Sequence, residues 1–352
     1  MVGFLLFGSA VFPAPAAFTT LYIFGDGISA TTNGPGGPYY YGSRNSNGRL
    51  WVEVLAQRQG LVFDTNKNWS YFGNTSTTMV ATVSSLIITP SDASNTLFVI
   101  WVNNADLFYP ALNNGTDMNA WTNAMNFSLT NHFKAITNLY QKGARTLIMP
   151  NAVDISAIPQ FDKSPNTNFV HQRVIDYNTA FTNTLNRAET NCPGLTIYIP
   201  DFFALLTNLQ TYPASYTVTN ALYHGRSIDV IEDSSVIDKS ANGPGTNYIF
   251  WDAKDPSAKV HAWMANLTQQ LISPAQINEI TMDNGDDLVQ LDLANVPIGQ
   301  NGLVLGRTDV LSGTWTTNAT FTSSNATQSV FVPAYSPQHF YRLSFPFAWT
   351  WP

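Results

Sequence analysis

The chain has 352 residues, which is long enough for one large domain plus a small one. Its net charge of −7 leaves no basic surface, so nucleic acid is not expected as a partner. Charged residues form only 11% of the chain, and its one cysteine, Cys192, excludes an internal disulfide and any multi-cysteine metal site.

Residues 1–17 are predicted to be an export signal. The apolar run from Val2 to Val11 precedes Pro13-Ala14-Pro15-Ala16-Ala17, whose small residues are typical of a signal-peptidase site. No basic residue precedes the run, so an N-terminal strand packed on the domain is the alternative. No later run reaches the roughly 18 apolar residues of a membrane span. We therefore expect a secreted or cell-envelope protein without a membrane span.

Residues 18–273 alternate between strand and helix patterns, which predicts a single α/β domain. Apolar residues at three- or four-residue steps predict helices over 118–142, with Gly143 as its cap, and over 169–188. Asp201 is a predicted N-cap of a further helix. Runs rich in β-branched and aromatic residues predict strands at 21–24, 96–101, 146–149 and 195–199. This alternation favours a parallel central sheet covered by helices on both faces, a three-layer αβα arrangement.

Residues 274–352 have a different pattern, which predicts a small all-β module. Helical periodicity ends here, and short alternating runs at 287–293, 302–305 and 329–333 are separated by Gly, Asn, Ser and Pro. No residue pattern in this segment indicates a catalytic site. Its expected role is packing, or surface or self-assembly contacts.

The segment Phe24-Gly25-Asp26-Gly27-Ile28-Ser29 directly follows the first predicted strand. In parallel sheets of this kind the site lies beyond the carboxyl ends of the strands, where this turn is expected. Continued through Ala30-Thr31-Thr32-Asn33, it resembles the FGDSLSDTGN signature of the SGNH/GDSL esterases and lipases. Five further segments resemble this family in its own order: 39–53, 68–73, 98–106, 143–151 and 248–261. The resemblance covers roughly residues 20–272 and implies the flavodoxin-like fold of an ester hydrolase.

The resemblance also implies which positions carry the catalytic groups, and several hold the wrong residue. The nucleophilic serine is replaced by Gly27, and the histidine position holds Asp255. The carboxylate that orients the histidine is present as Asp252, and the oxyanion glycine is present as Gly73. The oxyanion asparagine is replaced by Ala105. Ester hydrolysis by the family mechanism needs all of these groups. The loss of the serine, the histidine and the asparagine together therefore predicts little or no esterase activity.

Four nearby residues are candidate substitutes. Ser29 lies two residues past the nucleophile position, although a turn or cap hydroxyl is the favoured interpretation. Asn103 or Asn104 could donate into the oxyanion hole after a small shift. His261 lies on a predicted helix, where a buried structural histidine is the favoured interpretation.

The carboxylates suggest a different chemistry. If the fold holds, Asp26, Asp252 and Asp255 gather near one pocket, with Asp106 close by. Crowded carboxylates share protons, bind a hard cation, or act as acid and base on a glycosidic bond. Asp26 and Asp106 also occupy positions where the family has structural aspartates.

Three functions remain open. The first is a secreted family protein that is inactive or very weak and binds an ester, acyl or carbohydrate ligand. The second is an active acyl or carbohydrate esterase that uses unusual residues. The third is a structural or surface-assembly protein on this scaffold. No cofactor and no metal is expected in any of them.

Overall fold

The computed structural model describes residues 18–283, 287–309, 311–334 and 339–352, and the predicted export signal, 1–17, lies outside them. The described chain divides into two compact units. The larger contains Phe18–Gln57, Leu61–Ile272 and Trp349–Pro352, and the smaller contains Arg58–Gly60 and Ser273–Ala348. Within these ranges, no helix is long and apolar enough to cross a membrane.

The larger unit contains a parallel sheet of four strands in the order β1-β2-β3-β4, flanked by helices. The strands of this sheet are β1 (Thr20–Gly25), β2 (Thr96–Trp101), β3 (Thr146–Ile148) and β4 (Thr196–Tyr198). A separate antiparallel ribbon consists of β5 (Leu222–Tyr223) and β6 (Arg226–Ser227). The helices are α1 (Trp51–Arg58), α2 (Ser76–Ser85), α3 (Pro90–Ser94), α4 (Asn103–Asn113), α5 (Met118–Gln141), α6 (Thr167–Asn191), α7 (Phe202–Thr211) and α8 (Ala258–Ile272). The predicted α/β class with a parallel sheet is confirmed.

The sheet is stabilised by burial of its central strands. All six residues of β2 are buried, as expected for an apolar strand covered on both faces. The outer edge of β1 is covered locally, because the N–H of Trp69 donates to the carbonyl of Ile23 at 2.8 Å. The Trp69 ring stacks on Phe24 with a centroid distance of 5.2 Å. Loop residues thus shield an edge that would otherwise be open to pairing.

Two helix ends occur where the sequence predicts them. Asp201 caps α7 by accepting the N–H of Ala204 at 2.9 Å. Helix α5 ends at Gln141, and Gly143 follows with a φ of +105°, a conformation that favours glycine. A Cβ on Gly143 would also lie 2.7 Å from the Cα of Pro90. Both the backbone conformation and the close packing therefore require glycine here.

The smaller unit consists of two antiparallel sheets, which confirms the predicted all-β C-terminal module. The sheets have the orders β10-β9-β12 and β11-β8-β7. Their strands are β7 (Gln276–Asp283), β8 (Leu288–Ala294), β9 (Asn301–Arg307), β10 (Thr316–Thr322), β11 (Gln328–Pro333) and β12 (Phe340–Ser344). Alternating residues of β8 and β9 are buried around Leu291 and Val304, so this unit has its own core.

Candidate active-site pocket

The turn that follows β1 begins with Asp26. This residue caps the short 3₁₀ turn Gly27–Ser29, and its Oδ1 accepts the N–H of Ile28 at 3.1 Å. The N–H of Asp26 donates to the carbonyl of Trp101, the last residue of β2, at 3.1 Å. The turn is thereby attached to the carboxyl ends of two neighbouring strands, where sites form in such sheets.

Three asparagine side chains hold the carbonyls of this turn. Asn74 donates to Gly25 at 2.8 Å, Asn45 to Gly27 at 3.0 Å, and Asn68 to Ser29 at 2.9 Å. All three asparagines are buried. Buried polar groups stabilise a unique geometry when they are fully paired, so the turn is firmly positioned.

Gly27 is not required by its backbone conformation, because its φ lies outside the left-handed region. A Cβ at this position would lie 3.0 Å from Nδ2 of Asn45 and 3.3 Å from Cδ2 of Phe72. These contacts are tight, yet both neighbours are side chains that can move by a few tenths of an ångström. A serine at position 27 is therefore compatible with the fold.

A pocket of about 180 Å³ opens beside the turn. It brings together four of the positions implied by the resemblance, Gly27, Gly73, Ala105 and Asp255, together with Asp26. The remaining lining residues are Ile28, Phe72, Thr75, Phe108, Leu112 and Lys254. None of the described lining residues is a histidine.

Asp255, at the position that the resemblance assigns to the catalytic histidine, is buried, with 5% of its surface exposed. Oδ1 of Asp252 accepts the backbone N–H groups of Lys254 and Asp255, both at 3.0 Å, and its Oδ2 accepts the Tyr40 hydroxyl at 3.1 Å. Burial raises the pKa of Asp255 well above its usual value, and the charges of Asp252 and Asp26 add to the rise. The Asp255 carboxyl group therefore favours its protonated form, whereas the catalytic histidine of a serine hydrolase acts by accepting a proton.

Asp26 is the second perturbed carboxyl group. Burial raises the pKa of Asp26 to about 7, and the charge of Asp106 adds to the rise, although the hydrogen bond from Ile28 opposes it. Asp106 itself lies behind the pocket, where it accepts the N–H of Ser76 at 3.0 Å and the hydroxyl of Ser128. Within the described ranges, no three His, Cys, Asp or Glu residues are arranged to hold a metal ion.

Comparison with known proteins shows which family the chain belongs to. The sequence model of the GDSL-like lipase/acylhydrolase family matches residues 21–268. The chain belongs to this family. The predicted resemblance is therefore confirmed.

Individual relatives of the GDSL family match only part of the chain. Two GDSL esterase/lipase proteins of Arabidopsis thaliana are 29% identical over 146 residues and 28% identical over 141 residues. Each match covers 37% of this chain and 40% of the relative, so the matched part is well under half of these proteins.

Similar solved structures are more distant in sequence. One is a lipase from a goat rumen metagenome, with a TM-score of 0.44, 10% identity, and coverage of 72% of this chain and 97% of that one. Another is an acetylxylan esterase from Geobacillus stearothermophilus, with a TM-score of 0.41, 12% identity, and coverage of 73% and 96%.

Ser29 and His261, two candidate substitutes for the GDSL catalytic groups, lie in buried structural contacts. Oγ of Ser29 accepts the indole N–H of Trp51 at 3.0 Å. Nδ1 of His261 accepts the backbone N–H of the same Trp51 at 3.3 Å. Burial lowers the pKa of His261 to about 3, which matches a neutral ring that accepts a hydrogen bond. Neither residue lines the pocket.

The two candidate oxyanion asparagines face the turn after β3. Nδ2 of Asn103 donates to the carbonyl of Pro150 at 3.0 Å, and Oδ1 of Asn104 accepts the N–H of Val153 at 3.0 Å. Neither is among the lining residues of the pocket. The described residues that line the pocket therefore include no side-chain amide at the position implied for the GDSL oxyanion asparagine.

Six lining residues, including Phe72 and Lys254, were not singled out as site residues from the sequence. Nζ of Lys254 lies 4.8 Å from the ring centroid of Phe72, and the two side chains form part of the pocket wall. Lys254 directly precedes Asp255 in the last family segment, and Phe72 directly precedes Gly73. Adjacency to a family position was the only signal that could have identified them.

Proposed function

We propose that this GDSL-family chain has lost serine-based ester hydrolysis and retains its pocket as a binding site for an ester or acyl group. The observation that carries the proposal is the pair Gly27 and Asp255, which line one pocket at the nucleophile and histidine positions. Serine hydrolysis requires a nucleophilic hydroxyl and a neighbouring base. Neither group is supplied by these two residues.

The other hydroxyl groups near the turn do not replace the nucleophile in this proposal. Thr75 carries the one hydroxyl among the described lining residues, and it is the N-cap of α2. The Ser29 hydroxyl is buried against Trp51. A threonine without an adjacent imidazole is a weak nucleophile, because nothing removes its proton.

The pocket nevertheless keeps the features that recognise an ester or acyl group. Phe72, Phe108 and Leu112 provide apolar contact area, while Gly73 remains at the position of the oxyanion amide. Small-molecule sites combine an apolar lining with a few polar groups in this way. Binding can therefore persist after the chemistry is lost.

A second candidate is weak hydrolysis that uses carboxyl groups. Asp26 and Asp255 line the same pocket, and burial raises the pKa of both. The pKa of Asp26 rises to about 7, so this carboxyl can exchange a proton near neutral pH. In that case an activated water would attack the bound ester directly, and no acyl-enzyme would form.

The test combines p-nitrophenyl acetate turnover with labelling by a serine-directed fluorophosphonate. The proteins to compare are the parent, Gly27→Ser, and the Gly27→Ser/Asp255→His double variant. Gly27→Ala is the matched control, because it adds the Cβ without the hydroxyl. Removal of triad members leaves a serine hydrolase about 10³–10⁴-fold above water. We expect a smaller rate enhancement over water from the parent, because Ala105 replaces an oxyanion donor.

The outcomes separate the two candidates. No labelling of the parent or Gly27→Ala, with labelling and turnover in the double variant, supports the loss of serine chemistry. Parent turnover that disappears in Asp255→Asn, without labelling, supports the carboxyl mechanism instead. Parent labelling at any serine or at Thr75 contradicts the proposal. For binding, methyl butyrate observed by saturation-transfer NMR should contact the parent and be excluded by the pocket-filling Leu112→Trp variant.

A further inference from the structure

The smaller unit has two outer faces, one on each of its sheets. Its core lies between the sheets, where Leu291 of β8 and Val304 of β9 are both fully buried. Side chains alternate between the two faces of a strand, so the neighbours of these core residues along each strand point away from the core. The outer faces of the two sheets therefore lie on opposite sides of this unit.

The outer face of the sheet β10-β9-β12 is basic. Arg307 and Arg342 are the only Lys or Arg residues between positions 273 and 348. Arg307 is three positions from Val304 and so points outward, and Arg342 pairs with the outward-pointing Leu305. The guanidinium carbon of each arginine lies 4.5 Å from the ring centroid of Trp315. The basic face thus holds two like charges against one aromatic ring, and Arg342 is exposed.

The outer face of the sheet β11-β8-β7 is acidic. Glu279 of β7 is exposed and lies directly opposite Asp292 of β8 in the antiparallel register. Asp292 accepts the Ser329 hydroxyl at 2.5 Å and the side-chain N–H of Gln290 at 2.9 Å. These two hydrogen bonds lower the pKa of Asp292, so its carboxylate keeps its charge. Phe331 lies opposite Gln290 on the same face, with 51% of its surface exposed.

Both faces place like charges next to each other. Like charges that lie directly opposite on adjacent strands destabilise a sheet, as the carboxylates of Glu279 and Asp292 do here. A partner of opposite charge would offset this cost, and each face also carries an aromatic side chain of the kind enriched at protein interfaces. The acidic and basic faces are complementary to each other, and one chain supplies both.

We propose that the chain associates head to tail with further copies of itself, with the basic face of one copy bound to the acidic face of the next. Because the two faces lie on opposite sides of the unit, a two-fold dimer cannot use both at once. Contacts of this heterologous kind give a closed ring or an open row of copies. An anionic polymer or an anionic membrane would match the basic face alone, whereas a second copy matches both faces. This inference does not depend on the proposed function.

Sedimentation velocity of the full chain over an about hundredfold range of concentration measures the association. The parent should form species larger than a monomer, and added salt should dissociate them because it screens the charges. Arg342→Glu and Glu279→Lys should each raise the dissociation constant at least about tenfold, since each places like charges across the contact. Lys134→Glu is the matched control, because it reverses an exposed charge on α5 of the larger unit, and it should change the dissociation constant less than about twofold.

A mixture of the two variants gives the sharpest result. Arg342→Glu keeps an intact acidic face and Glu279→Lys keeps an intact basic face, so together they should form a one-to-one dimer with the affinity of the parent contact. A misfolded variant could not do this, so the rescue separates a role in the contact from a role in folding. If Arg342→Glu lacks the circular dichroism of the parent, Arg342→Gln takes its place in the mixture.

Three outcomes would overturn the inference. The first is a parent that stays monomeric at every concentration, and the second is association of both variants as strong as that of the parent. The third is a mixture of folded variants that stays monomeric. A monomeric parent that binds dextran sulfate, with binding lost in Arg342→Glu, would assign the basic face to an anionic polymer instead.

Discussion

Replacement of Asp26 by asparagine should change how the stability of the larger unit depends on pH. The carboxyl group is buried beside the turn, and its pKa rises from 3.8 to about 7 on folding. This shift of roughly three pH units corresponds to about 4 kcal/mol, at 1.36 kcal/mol per unit. Asparagine keeps an acceptor for the N–H of Ile28 but carries no titrating charge.

The sign of the effect follows from proton binding. Below about pH 4, Asp26 is protonated in both the folded and unfolded states, so its shifted pKa does not change the free energy of unfolding. As the pH rises toward 7, the folded state binds more protons than the unfolded state, and the parent loses stability. Above the folded pKa, the full cost of the buried charge remains. Asp26→Asn should therefore gain stability relative to the parent by up to about 4 kcal/mol between about pH 4 and pH 8.

Urea unfolding of both proteins, followed by tryptophan fluorescence at several pH values, measures this difference. Asp255 is present in both proteins, but the charge of Asp26 raises its pKa, so loss of that charge in Asp26→Asn adds a stability gain of the same sign. The difference in unfolding free energy between the two proteins should change by several kcal/mol across this range. A change of less than about 1 kcal/mol would refute the reasoning, because a pKa shift of this size requires a larger one. A change of the opposite sign would mean that Asp26 is stabilised in its charged form.

Three structural predictions can be checked by the same unfolding assay. Trp51→Phe removes the indole donor to the buried hydroxyl of Ser29 and should cost about 1–3 kcal/mol, whereas a loss below about 0.5 kcal/mol would contradict the hydrogen bond. Asp117→Ala removes the N-cap of α5, which accepts two backbone N–H groups, and should cost about 1 kcal/mol; no loss would mean that water replaces the cap. Gly143→Ala meets both a φ of +105° and the backbone of Pro90, so it should cost more than about 2 kcal/mol, and a neutral result would show that the turn can rearrange.

Local sequence patterns predicted much of the fold, because strand and helix periodicity reflect which residues are buried. The run Thr96–Trp101 is apolar at nearly every position, and it forms a strand buried on both faces. The apolar steps across residues 118–142 correspond to α5, and Asp201 caps α7 as expected. The predicted bounds differed from those of the structure by at most three residues, as is usual where helix ends fray.

The family segments predict a single candidate site. Gly27, Gly73, Ala105 and Asp255 line one pocket although up to 228 positions separate them in the chain. Residue identity at these positions was enough to predict the loss of the nucleophile and the base.

By itself, the sequence determined the α/β class, the β-rich C-terminal module and the GDSL family. Only the tertiary structure decided that Asp26 is buried near Asp106 and that Ser29 and His261 are held by Trp51. The physical reason is that periodicity and motifs report local backbone preferences. Burial, pKa shifts and unpaired atoms depend on neighbours that packing brings from distant parts of the chain.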